Sequence, residues 1–116
     1  MNSGLQYKEF CIFAKEKFKL TARPVSILTL NQIKYEISKK NFVIISVHPD
    51  IRHPESVPPS QGGHLVLVVG YDDQKQGVYI HNPSGYESNN SQSNAFISYK
   101  NFHKFFANRG IVINSA

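Results

Sequence analysis

The chain of 116 residues holds one cysteine, one methionine and no tryptophan. A single thiol, Cys11, excludes an internal disulfide and any cysteine-rich zinc centre. No apolar run approaches the roughly 20 residues that a membrane-spanning helix needs, so no membrane partner is expected. Met1-Asn2-Ser3-Gly4 lacks the basic start and apolar stretch of a secretory signal. As given, the chain is expected to be cytoplasmic, and secreted if cut from a longer precursor. Acidic residues are scarce, eight against thirteen Lys and Arg, giving a formal net charge of +5. Such a balance attracts anions. The basic residues are spread out, however, and no nucleic-acid motif is present, so nucleic acid is not an expected partner. Heptads and internal repeats are also absent. The hydrophobic fraction of 41%, with eight Phe and six Tyr, suffices for the core of one domain spanning 1–116.

The most ordered pattern is Gly62-Gly63-His64-Leu65-Val66-Leu67-Val68-Val69-Gly70-Tyr71-Asp72, followed by Gly77-Val78-Tyr79-Ile80-His81-Asn82-Pro83-Ser84-Gly85. It reads as a β-hairpin. Leu65 to Val69 is so apolar that it predicts a mid-sheet strand buried on both faces. Asp72-Asp73 to Gly77 supplies a polar turn. Val78 to Ile80 is β-branched and aromatic, and Asn82-Pro83-Ser84-Gly85 breaks the second arm.

The remainder supplies helices and further strands. Gly4 to Lys19 has Tyr7, Phe10, Cys11, Ala14 and Phe18 at helical spacing. Arg23-Pro24 ends that unit, and Val25 to Leu28 is a short extended piece. Thr29 is an N-cap with Gln32 at the capping-box position, and Leu30, Ile33 and Ile37 form a buried stripe. Phe42 to Val47 is an apolar strand. His48 to Gln61 carries four prolines and forms a long loop, either a wall of a cleft or a floppy connection. Tyr86 to Asn94 reads as a mobile surface loop. Ser98 caps a helix from Tyr99 to about Asn108, which Gly110 ends in a left-handed position, and Ile111 to Ile113 is a last strand. The layout is α+β, an antiparallel sheet packed with helices.

The hairpin also juxtaposes chemistry. In antiparallel arms the start of one strand lies beside the end of the next. His64 and Asn82 are thus carried to one end of the sheet. An imidazole oriented by an amide is two thirds of a cysteine-protease type of triad. Gly62 and Gly63 would let a substrate backbone approach. His81, adjacent to Asn82, must then face the other way. The five histidines show no helical i, i+4 pair, so no metal and no cofactor is expected.

The text GGHLVLVVGYDD, a turn, GVYIHNPSG, then Ile97-Ser98-Tyr99 before a helix, resembles the C-terminal half of the C39-like cysteine peptidases, a papain-like group. The resemblance runs from about Ile27 to Ile113. It implies peptide or amide bond hydrolysis, with His64 as general base and Asn82, where the family more often has Asp, as its orienter. It also implies a nucleophile at the start of a buried helix, with a Gln a few residues earlier. Cys11 follows Gln6 at a plausible interval but is flanked by Phe10, Ile12 and Phe13, lies mid-way along a helical pattern and sits close in sequence to His64. Its plainer reading is a small apolar residue on a core-facing stripe. In that reading the first helix matches the family's second, and the nucleophile helix is missing. Three possibilities follow. The chain is the C-terminal part of a peptidase whose other half is lost or supplied by a complementing chain. It is a non-catalytic relative that binds a peptide or protein in the remnant cleft. Or it is a compact enzyme using Cys11. A missing helix would leave apolar sheet uncovered, so a homodimer or a docked partner is expected.

Overall fold

The computed structural model describes residues 21–114. The helix expected over Gly4 to Lys19, and Cys11 with it, lie outside the described residues. The elements are β1 (Thr21–Val25), α1 (Leu30–Ser38), β2 (Phe42–Val47), β3 (His64–Asp72), β4 (Gly77–His81), β5 (Ala95–Ser98), α2 (Tyr99–Phe105) and β6 (Phe106–Asn114), with 3-10 turns at Pro49–Arg52 and Glu87–Asn89. Six strands form one antiparallel sheet in the order β1-β6-β2-β3-β4-β5. The fold is α+β.

Local chemistry explains the helix starts. Thr29 Oγ1 accepts the Gln32 N–H at 3.2 Å while the Gln32 side chain accepts the Thr29 N–H at 2.9 Å. This closes a capping box in front of α1. Ser98 Oγ accepts the Asn101 N–H at 3.1 Å and starts α2. Arg23 on β1 pairs with Glu36 of α1 at 2.5 Å, and Asn41 donates to the same carboxylate at 3.0 Å, so the buried acid is satisfied.

Val43, Ile45 and Val47 of β2, Val66 and Val68 of β3, and Val78 and Ile80 of β4 line one face, and Ile33, Phe102 and Phe105 from the helices pack on it. Burying each such side chain contributes about 1.5–3 kcal/mol. β3 lies inside the sheet, as its apolar run predicts, but it is not buried on both faces. Leu65 is 40% and Val69 42% exposed, beside Phe42 at 52%. Both described helices cover the same face, so only alternate residues of the run enter this core. An apolar residue on the reverse face of β3 looks, in sequence, the same as one in the core.

One other expectation is corrected. α2 stops at Phe105, because β6 begins directly, and the left-handed residue is Asn108 (φ 58°). Gly110 is no helix terminator but a strand residue paired with Ile45 and Val25. The proline-rich loop is tethered rather than floppy. Ile51 is fully buried, Lys104 Nζ donates to the carbonyls of Pro54 and Ser56 at 3.0 and 2.7 Å, and Gln61 donates to the His103 carbonyl at 2.9 Å. The loop at 86–94 is held against it. Tyr86 packs on Arg52 and His53, and Asn89 donates to the Arg52 carbonyl at 3.0 Å.

At the turn of the hairpin, Asp73 accepts from Tyr99 Oη at 2.6 Å and from Lys34 Nζ at 2.9 Å, tying α1, the turn and α2 together. Burial, and then the carboxylate that its hydroxyl serves, push the Tyr99 phenol up to about 12 from an ordinary 10.0. A group whose pKa is raised on folding stabilises the fold fully below its unfolded value. That contribution should therefore be intact below pH 10 and vanish as pH rises through about 12. Urea unfolding across this alkaline window should show the loss in the native chain, and Tyr99→Phe should flatten it.

Candidate active site

β3 pairs with β4 so that Leu67 faces His81 and Val68 faces Ile80. His64 is paired with Val47, and with Val66 and Val68 shares the helix-covered face. Asn82 follows His81, so strand alternation returns its side chain to the face of Ile80. His64 and Asn82 are therefore diagonal neighbours at one end of the sheet, and His81 is exposed on the reverse face. The imidazole Nε2 and Asn82 Oδ1 are 2.8 Å apart.

The same oxygen accepts the Ser84 N–H at 3.1 Å, an Asx turn that follows from Asn-Pro-Ser. A backbone N–H can only donate, so the atom facing it is the amide oxygen. That oxygen can only accept, so His64 Nε2 carries the proton. In the neutral ring the remaining nitrogen, Nδ1, is then the acceptor, and it has no protein partner among the described residues. Asn82 is fully buried, its N–H donates to the Gln92 carbonyl at 2.8 Å, and its carbonyl accepts the Gly85 N–H at 2.9 Å. Only its Nδ2 is buried without a partner. The amide is therefore clamped by its own turn before it meets the ring. A base fixed in this tautomer can take a proton from a thiol set beside Nδ1.

The glycines behave differently from one another. Gly62 and Gly63 have φ of 88° and 100°, which strains any side chain. Around Gly63 a Cβ would meet nothing within 4 Å, so the space beside it is open. The space of a Gly62 side chain is occupied by the chain itself, with Arg109 Nη2 at 2.7 Å, Ala107 Cβ at 3.0 Å and Ser46 Oγ at 3.1 Å from the Cβ position. Gly63 N–H donates to Ser46 Oγ at 3.3 Å. Ser84, Ser46 and Arg109 were not singled out from the sequence. The Asn-Pro-Ser turn signals the first, and a lone Ser or Arg on a strand carries no signal.

No group of three or more His, Cys, Asp or Glu is placed to hold a metal among the described residues.

No curated protein and no solved structure matches the chain. A model of the family described as Peptidase_C39 like matches residues 4–111. That span takes in the histidine strand, the Asn82 turn and nearly the whole sheet, and the chain therefore belongs to the Peptidase_C39 like family.

Proposed function

We propose that this peptidase-related domain carries the base and orienter of a cysteine-peptidase site, that in isolation it hydrolyses peptides weakly or not at all, and that its cleft still receives a peptide segment. The observation that carries the reading is the bond of 2.8 Å from His64 to an amide already locked by Ser84. A histidine at a strand end needs only a backbone carbonyl to satisfy it. Here a fully buried side chain selects its tautomer instead. The chain's one cysteine, Cys11, sits among Phe10, Ile12 and Phe13, which suit a core stripe better than an exposed helix start. That setting favours the second reading, a non-catalytic peptide- or protein-binding module.

Iodoacetamide labelling near neutral pH tests this. An unactivated thiol has a pKa of about 8.5, so little thiolate is present. Cys11 is expected to label slowly, at a rate that His64→Ala changes by less than about two-fold. Fast labelling abolished by His64→Ala would instead make Cys11 the nucleophile of a compact enzyme.

A further inference from the structure

The turn that carries Asn82 is gripped by a segment outside the sheet. The ladder of β4 with β5 ends at the pair of Ile80 and Ala95. Beyond it one residue, His81, runs against two, Ser93 and Asn94, before Gln92 meets Asn82. Asn94, left-handed at φ 49°, accommodates the extra residue. Gln92 then holds the Asn82–Pro83 unit twice. Its carbonyl accepts the Asn82 N–H at 2.8 Å, and its side-chain amide donates to the Pro83 carbonyl at 3.3 Å.

Gln92 is in turn mounted on a closed loop. Ser91 is buried, and its hydroxyl accepts the Tyr86 N–H at 2.8 Å and donates to Asn89 Oδ1 at 2.5 Å. Its own N–H returns to the Tyr86 carbonyl at 2.9 Å, and Asn90 turns the loop in the left-handed region (φ 55°). The loop lies directly on the Asn82 turn, since a Cβ on Gly85 would run into the Ser91 carbonyl. From outside it is anchored by Tyr86 against Arg52 and His53, and by Asn89 on the Arg52 carbonyl. Asn82 Oδ1 serves both the Ser84 N–H and His64 Nε2, so its place depends on where the turn holds the Asn82 backbone. A hydrogen bond of 2.8 Å weakens once that oxygen swings out of line with the imidazole.

We propose that Ser91 and Gln92 are positioning residues for His64: residues 86–94 clamp the Asn82 turn and, through Asn82, fix the imidazole. The proposal rests on the reading of His64 and Asn82 as base and orienter above. Its readout is the exchange of the His64 Nε2 proton with water, followed by NMR in the isotope-labelled chain. Ser91→Ala leaves the Tyr86 N–H without its acceptor and should speed that exchange about ten-fold. Gln92→Glu keeps the side chain's shape, cannot donate to Pro83 at neutral pH and should speed it about three-fold. Tyr99→Phe loses its bond to Asp73 at the opposite end of the hairpin and should change the rate by less than about two-fold. Should Ser91→Ala fail to fold, Gln92→Glu decides alone. Rates within about two-fold of native in the clamp variants that fold, or an equal acceleration in Tyr99→Phe, overturn the clamp and leave the His64–Asn82 pair standing. A proton that exchanges in the native chain as fast as in Asn82→Ala removes the pair itself, and the clamp with it.

Discussion

Gly110→Ala is expected to destabilise the domain by about 2–4 kcal/mol and to lower its melting temperature by on the order of 10 °C. A methyl group at this position would run into the carbonyl oxygen of Ile44, with the Ile45 Cα at 3.1 Å and the Ile44 carbonyl carbon at 3.2 Å. These are backbone atoms of β2, so no rotamer change can make room. Relief would require β6 to move away from β2, and β6 is held on both sides, by β1 and by β2. Thermal unfolding followed by circular dichroism would measure the loss. Gly63→Ala is the informative contrast. Its cost should come only from the positive φ of 100°, since no atom crowds its Cβ.

Asn82→Ala is expected to cost about 2 kcal/mol, and to do so with almost no change in the amount of apolar surface buried. The substitution leaves two donors without their acceptor, the Ser84 N–H and the His64 Nε2–H. It also opens a hole at a fully buried position. The unpaired Nδ2 disappears at the same time, and that relief offsets part of the loss. Urea denaturation should therefore show a lower midpoint with an unchanged slope. A change of slope would indicate that the turn after β4 had unfolded rather than lost one clamp.

Much of this site was legible because its determinants are local. Asn82-Pro83 and Gly62-Gly63 mark the two strand ends, and alternation along the strands then sends Asn82 and His81 to opposite faces. The boundaries of β2 and the Thr29 and Ser98 caps follow from runs and spacings of the same kind. What escaped depends on contacts distant in sequence. β1 contains Pro24, which argues against a strand, yet β1 is an edge strand where a missing donor is tolerated. β5 is four residues long and is defined by pairing with β4. The three-residue excursion of β6 around Asn108 exists only because Asn108 meets Leu28, eighty residues away. The one-sided burial of β3 could not be read from Leu65 to Val69, since both sets of alternate residues are apolar.

The proposed site depends on Asn82 holding His64 in one tautomer, with Nδ1 left free to accept a proton. Long-range nitrogen–proton correlation NMR of the imidazole at neutral pH tests it most directly. The expected result is a protonated Nε2 whose proton exchanges slowly with water, an unprotonated Nδ1, and loss of that protected proton in Asn82→Ala. A ring protonated on Nδ1, or an Nε2 proton that exchanges as fast in the native chain as in Asn82→Ala, would contradict it.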